Sequence, residues 1–245
     1  RNIAKFEKLF WPSVDLLVTV SPAIRDYYLT SYGAKDSVVV HNSPLVQILG
    51  RGKRPPEPSL KERLGLTSAQ KLGIYLGFAT RGRGLGNVSA ILDGLGPDHF
   101  LALVGYGPLW EEAATGAIHP RLLTVPQIRH DELVDEIFGV DYGLVLTEAV
   151  SRSDYLSLPN KLFELGFAGV PVVASDLPEQ SRLVEEYRLG VTVQPSVPSV
   201  ISAITAVCEK PPLTRRADFV ADFNFESQMV PLIKVYKRYL GREGS

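Results

Sequence analysis

The chain has 245 residues, of which 45% are hydrophobic and 22% are charged, as in an ordinary globular protein of one large domain, or of one domain and part of another. Its 26 basic and 27 acidic side chains give a formal net charge of −1, which excludes the strongly basic surface of a nucleic-acid-binding protein. The single cysteine, Cys208, excludes an internal disulfide and indicates a reducing compartment; its apolar helical surroundings favour a core thiol over a reactive one. No apolar run reaches the roughly 18 residues that a membrane-spanning helix needs.

The first 49 residues show the order helix, strand, helix, strand. These segments are predicted at Ile3–Phe10 and at residues 14–20, 21–33 and 38–40. Two strands and two helices do not close a doubly wound sheet, and the chain begins with Arg1 rather than Met. We therefore expect residues 1–49 to be the remnant of a truncated N-terminal domain.

Residues 50–58 (GRGKRPPEP) are rich in proline, glycine and charge. This composition is typical of a linker between domains, and a solvated hinge is the simpler interpretation than a binding patch.

Residues 59–225 alternate between strand and helix patterns. Strands are predicted at residues 72–76, 100–104, 122–125, 142–146, 172–174 and 191–193, and helices at 60–64, 88–95, 108–115, 131–137, 159–168, 179–187 and 199–209. This order predicts parallel βαβ units, an α/β fold class and a Rossmann-like doubly wound sheet that binds its ligand at the carboxyl ends of the strands. A last helix is predicted at residues 226–239, within a C-terminal segment of residues 226–245.

Residues 157–175 (SLPNKLFELGFAGVPVVAS) carry the clearest functional signal. Ser157 and Pro159 predict the start of a helix, and the apolar run that follows Gly169 predicts a strand buried on both faces. A helix N-terminus beside a cation, here Lys161, is a favourable site for a phosphate. Glu164 lies in the same turns, and a carboxylate there suits hydroxyl groups better than phosphate. Together they indicate a sugar nucleotide.

The segment from Pro159 to Glu164, followed by Ala168, Gly169, Pro171 and Val172, resembles the signature of retaining glycosyltransferases of the GT-B fold, family 4. The resemblance is strongest over residues 72–193 and implies the C-terminal, donor-binding domain. Asp15, Ser21 and Asn42 match motifs at the end of the family's N-terminal domain, and the last helix is expected to cross back to that domain with an apolar face of Phe223, Phe225, Val230 and Tyr236.

The family's pair of glutamates is only half present. Glu164 matches the second, which in the family holds the ribose of the donor, whereas the first would fall on Leu156. Glu148 and Asp154 lie in the loop before the helix, where either would replace the missing acid; the alternative is that both are solvated loop acids.

Three loops that follow predicted strands complete the candidate site. The glycine-rich loop at residues 77–87 does not have dinucleotide-binding spacing, but the resemblance implies that Arg83 binds the donor pyrophosphate; a plain flexible loop is the alternative. The implied donor-binding residues are Gly77, Arg81, Gly84, Gly105, Tyr106, Gln127, Ile128, Pro159, Asn160 and Glu164, with Arg83 and Lys161 as the catalytic cations. For the loops after the second and third strands, ordinary turn chemistry is the alternative.

The resemblance implies transfer of a hexosyl group from a nucleoside diphosphate sugar to a hydroxyl of a glycan or lipid-linked acceptor, with retention, in polysaccharide biosynthesis. Arg83, Lys161 and the first amides of the 159–168 helix would stabilise the leaving diphosphate. Neither a metal nor a cofactor is expected, because the four histidines are scattered along the chain and no Asp-x-Asp sequence occurs. A cytoplasmic location is expected, with peripheral membrane association through the missing N-terminal part left open, and the fragment alone should bind nucleotide but transfer little.

Two rival functions remain at this stage. One is a non-catalytic scaffold, in which Leu156 marks a decayed site. The other is a GT-B sugar-nucleotide epimerase, which needs acid–base groups on the donor half, and no close acid–histidine pair is evident in the sequence.

Overall fold

The computed structural model describes residues 3–45, 56–194 and 196–241. Most of the predicted linker at residues 50–58 lies outside these ranges. Within the first range, β1 (Leu16–Thr19) and β2 (Asp36–Val39) pair in parallel as a small sheet.

The described residues also form a larger parallel sheet of six strands, in the spatial order β5-β4-β3-β6-β7-β8. These strands are β3 (Lys71–Phe78), β4 (His99–Tyr106), β5 (Leu122–Pro126), β6 (Tyr142–Val145), β7 (Val172–Ser175) and β8 (Gly190–Val193). The predicted α/β class and the Rossmann-like doubly wound sheet are confirmed.

Helices flank the strands. They are α1 (Ile3–Phe10), α2 (Pro22–Tyr32), α3 (Leu60–Arg63), α4 (Val88–Gly94), α5 (Pro108–Ala114), α6 (Leu133–Glu136), α7 (Arg152–Tyr155), α8 (Asn160–Ala168), α9 (Pro178–Glu186), α10 (Val197–Glu209), α11 (Arg216–Phe223) and α12 (Phe225–Tyr239).

The large sheet separates two apolar cores, because successive side chains of a strand point to opposite faces. On β3, Ile74 belongs to the core beneath α8 and α9, whereas Tyr75 belongs to the core beneath α4 and α10. Cys208 of α10 packs at the edge of the second core, and burial raises the pKa of its thiol to about 11.

Strands β3 and β4 run two residues further than predicted at their carboxyl ends. Gly77 pairs with Gly105 there, and a Cβ on Gly105 would lie 2.2 Å from the carbonyl oxygen of Gly77. The lack of a side chain at Gly105 therefore keeps the two strands paired up to the carboxyl edge of the sheet.

The prediction for the C-terminal helix is partly wrong. Phe223 ends the unpredicted helix α11 and is buried, with its ring centroid 5.5 Å from that of Phe163. The break occurs because Asn224 caps α12 by accepting a hydrogen bond from the backbone N–H of Ser227. Val230 is 63% exposed and Tyr236 is 52% exposed, so they form no buried face in the described chain.

The segment before α8 also differs from prediction. Residues 152–155 form the short helix α7, whose capping box joins Ser151 and Asp154. Ser157 does not cap α8; Pro159 occupies the N-cap position and the helix begins at Asn160.

Contacts join the small and large sheets. The Glu179 carboxylate accepts a hydrogen bond from the backbone N–H of Ala23 at 3.0 Å, at the start of α2. At the far end of α12, the Tyr239 hydroxyl donates to the carbonyl of Asp15 at 3.0 Å. Among the described helices, none combines the length and apolar character needed to span a bilayer.

Candidate functional site

A cavity of about 450 Å³ opens at the carboxyl ends of the central strands. The strand order reverses its direction between β3 and β6, because the chain continues from β3 to β4 on one side and from β6 to β7 on the other. In open parallel sheets, ligands bind in the crevice at such a switch point.

Most of the residues predicted from the sequence line this cavity. They are Gly77, Arg83, Gly105, Tyr106, Gln127, Ile128, Pro159, Asn160, Lys161 and Glu164. The sequence interpretation missed apolar side chains of the lining, such as Phe78 and Leu133, and it missed His130. The available signal in the sequence was an aromatic residue, Phe78, directly after the first glycine of the glycine-rich loop; in the structure it is 39% exposed.

Two of the predicted donor-binding residues lie elsewhere. Arg81 forms an exposed ion pair with Glu112 at 2.8 Å and is not in the cavity lining. Gly84 has φ +77°, and a Cβ on it would lie 2.4 Å from the Cβ of Leu146. Its backbone N–H donates to Oε1 of Glu148 at 3.2 Å. Gly84 therefore shapes the turn that carries Arg83, and its place is against β6 rather than in the cavity.

Lys161 is held between an aromatic ring and a second cation. Its Nζ lies 3.5 Å from the centroid of the Tyr75 ring, a cation–π contact. Burial, together with the nearby Arg83 guanidinium, lowers the pKa of Lys161 to about 7. Within the described ranges, no carboxylate lies at ion-pair distance from its ammonium group, so an anionic ligand would supply the missing counter-charge.

Glu164 lies one turn along α8 from Lys161, and its Oε1 is 3.6 Å from Nδ1 of His130. Burial raises the pKa of Glu164, while His130 and Lys161 act in the opposite direction. A close acid–histidine pair, which is not evident in the sequence, is therefore present in the structure. The sequence hid the pair because His130 follows β5, more than thirty positions from Glu164, and the sheet brings them together.

A second cavity of about 220 Å³ adjoins the first. Arg83, Pro159 and Lys161 line both cavities, so the two cations lie at their boundary. Glu148 and Asp154 line the second cavity only. Over the residues that the structure describes, no group of three or more histidine, cysteine or acidic side chains is placed to hold a metal ion.

No family model matches this chain, and no curated protein does. Solved structures do match. Sucrose-phosphate synthase from Thermosynechococcus elongatus superposes with a TM-score of 0.79 at 18% identity, over 98% of this chain and 62% of its own.

Two further structures agree. HepE of Anabaena in complex with UDP and glucose gives a TM-score of 0.75 at 15% identity, over 97% of this chain and 66% of its own. A glycosyltransferase from Rickettsia africae gives 0.70 at 13% identity, over 100% and 68%. The chain thus spans about two thirds of the length of these proteins, and at such identities the likeness concerns the fold. The chain has the fold of the GT-B glycosyltransferases.

Proposed function

We propose that the chain binds a nucleoside diphosphate sugar in the 450 Å³ crevice, and that the complete enzyme transfers the hexosyl group to an acceptor hydroxyl with retention. The observation that carries this proposal is the meeting of Arg83, Lys161 and Glu164 at the β3–β6 switch point. HepE, which shares the fold, was solved with UDP and with UDP-glucose.

The charge arrangement favours a diphosphate. Arg83 and Lys161 are close enough for the guanidinium to depress the pKa of the lysine, so they repel each other without a ligand. A diphosphate between them relieves this repulsion and makes charge-assisted hydrogen bonds to both. The N-terminus of α8 lies in the same lining and favours the same anion.

The rest of the crevice suits a nucleoside. Gln127 and Ile128 follow β5, Gly105 allows close backbone approach at the end of β4, and Tyr106 lines the crevice and is 54% exposed. Glu164 presents a largely enclosed carboxylate, which accepts hydrogen bonds from the ribose hydroxyls.

In the transfer reaction, the bond between the sugar and the diphosphate breaks and negative charge develops on the leaving phosphate. Arg83, Lys161 and the first amides of α8 stabilise this charge more strongly in the transition state than in the ground state. This scheme uses no metal ion. The acceptor, as a glycan or lipid-linked hydroxyl, remains part of the proposal.

The His130–Glu164 pair gives a specific reason to keep the epimerase as a second candidate, because it supplies an acid and a base on the donor half. Analysis of the products of a full-length protein separates the two reactions. A new glycosidic bond supports transfer, whereas a sugar nucleotide that differs from the substrate only in the configuration of one hydroxyl-bearing carbon supports epimerisation.

Calorimetric titration with UDP, GDP and ADP, and with the matching nucleosides, tests the donor site. Arg83→Ala should weaken the preferred diphosphate by about 10- to 100-fold and the nucleoside much less, because a hydrogen bond to a charged group is worth about 1.5–3 kcal/mol. Glu164→Ala should weaken both, because it acts on the ribose that both ligands carry.

Arg129→Ala is the charge-matched control. Its guanidinium lies near the crevice but is exposed and paired with Asp131 at 2.8 Å. This variant should bind the diphosphate as the wild type does. If no nucleotide binds the wild type, the scaffold alternative is supported; if all three variants bind equally, the site assignment is wrong.

A further inference from the structure

The 220 Å³ cavity on the β6 side lies where the second half of the ligand would extend. Arg83 and Lys161 line both cavities, so a diphosphate at these cations has one substituent in each. If the nucleoside occupies the larger cavity, the group on the other phosphate enters the smaller one. This step rests on the proposed function.

The lining of the smaller cavity is suited to hydroxyl groups. Its polar side chains include Thr147, Glu148, Ser153, Asp154 and Ser157. The Oγ atom of Ser157 is buried and has no hydrogen-bond partner among the described residues. Buried hydroxyls are rarely left unpaired, so this orphan atom marks a place for a hydrogen-bonding ligand.

The two acids of this cavity differ in how many hydrogen bonds they already accept. Asp154 is committed to the cap of α7, where its Oδ2 accepts from the backbone N–H of Ser151 at 3.0 Å and from its hydroxyl at 2.6 Å. Glu148 accepts one hydrogen bond, from Gly84 to its Oε1 at 3.2 Å. Among the described residues, its second carboxylate oxygen has no hydrogen-bond partner, and both oxygens have room for further donors.

Leu156, which stands where the family resemblance would place an acid, takes no part in the lining. Its carbonyl instead accepts a hydrogen bond from the Ser21 hydroxyl at 3.4 Å.

We propose that the 220 Å³ cavity holds the sugar of the donor, and that the Glu148 carboxylate and the Ser157 hydroxyl bind its hydroxyl groups. Glu148 is then a specificity-determining residue with two contacts. One oxygen holds the turn that carries Arg83 through the Gly84 N–H, and the other accepts a hydrogen bond from a sugar hydroxyl.

Glu148→Gln tests this role, because glutamine keeps an oxygen for the Gly84 N–H while the carboxylate charge is lost. The ligands are three pairs: UDP and UDP-glucose, GDP and GDP-mannose, ADP and ADP-glucose. For the pair that binds, Glu148→Gln should lower the affinity for the sugar nucleotide by about tenfold, as expected when a charged acceptor becomes neutral. It should lower the affinity for the diphosphate by less than about twofold. Ser157→Ala should act in the same direction with a smaller effect.

Asp154→Asn is the matched control, because it removes a carboxylate from the same cavity and keeps an oxygen for the cap. Because the cap already supplies two hydrogen bonds to Oδ2 of Asp154, this variant should lower the ratio of the two affinities less than Glu148→Gln does, and an equal or larger effect would overturn the assignment to Glu148. Circular dichroism establishes whether each variant is folded. If Glu148→Gln does not fold, Ser157→Ala is used for the test instead.

The outcomes separate the two levels of the proposal. If the wild type binds a diphosphate but Glu148→Gln weakens both ligands equally, or neither, Glu148 only holds the turn and the sugar assignment is overturned while the donor site stands. If a sugar nucleotide binds exclusively through its diphosphate, with the same affinity in the wild type and in both variants, the assignment is overturned as well. If the wild type binds none of the six ligands, the proposed function fails and this inference fails with it.

Discussion

Replacing Lys161 by methionine should make the folded protein more stable and abolish diphosphate binding. Lys161 is partly buried between the two cavities, its ammonium group lies on the face of the Tyr75 ring, and burial and the Arg83 guanidinium lower its pKa more than Glu164 raises it. A buried cation without a counter-ion destabilises the fold, whereas methionine fills a similar volume with no charge. Stability and binding should therefore change in opposite directions.

The pKa of Lys161 sets an upper bound on this effect. It falls from 10.5 to about 7 on folding. At about 1.4 kcal/mol for each unit of pKa, the bound is about 5 kcal/mol. The contact with Tyr75 is retained in the wild type and lost in the variant, and it offsets part of the gain. We expect Lys161→Met to raise the free energy of unfolding by about 2 kcal/mol at pH 6.

The sign of the pH dependence follows from the direction of the pKa change. Below pH 7, Lys161 is protonated in the folded and the unfolded chain, so the full cost is present. Between pH 7 and 10.5 the unfolded chain holds a proton that the folded chain has released, and the free energy of unfolding rises with pH. The advantage of the variant should therefore be largest at pH 6 and shrink by pH 9.

Urea denaturation of the wild type and of Lys161→Met measures the difference in their free energies of unfolding at pH 6 and at pH 9. Titration with the diphosphate measures binding. Lys234→Met, which removes an exposed lysine of α12, is the control for the loss of one positive charge. It should change neither stability nor binding. A Lys161→Met protein that is less stable than the wild type at pH 6 would contradict this prediction. So would a difference in the free energy of unfolding that stays constant from pH 6 to pH 9.

Two further predictions concern the same lysine. The affinity for the sugar nucleotide that binds should fall by up to about tenfold per pH unit above pH 7, because the anion needs the protonated ammonium. Lys161→Arg should give a flat profile, and a flat wild-type profile in titrations from pH 6 to 9 would contradict this. Tyr75→Leu should weaken binding of the same sugar nucleotide by about threefold or more, and Tyr75→Phe should not, because the ring face contacts Nζ. Equal calorimetric affinities for the two variants would show that the ring is structural only.

Much of the fold was predictable because buried parallel strands and amphipathic helices leave clear periodic patterns. The failures occur where local patterns compete. The sequence places Phe223 in the apolar face of a last helix over 226–239, whereas in the structure the cap at Asn224 separates two helices and Phe223 ends the first of them. Helix α7 was missed because its capping box, between Ser151 and Asp154, precedes no apolar run.

The candidate site shows a different limit. The residues that follow strand ends were predictable as a group, since parallel strands bring their carboxyl ends to one edge. Which of two arginines in one turn enters the crevice was not predictable, because it depends on the positive φ of Gly84 and on the pairing of Arg81 with Glu112. The sequence does not identify Tyr75 as a site residue, because an aromatic residue in a buried strand is expected to pack in the core.

The cost of Lys161 to the fold also bears on whether the site is in use. A scaffold with a decayed site gains nothing from a buried ammonium group beside a second cation, whereas a diphosphate site requires both charges before the ligand arrives. If Lys161→Met both stabilises the protein and abolishes binding, the need to bind the ligand explains why the chain keeps a destabilising charge. If it stabilises the protein and the wild type binds no nucleotide, Lys161 is a buried charge without a function, and the scaffold becomes the better account of this chain.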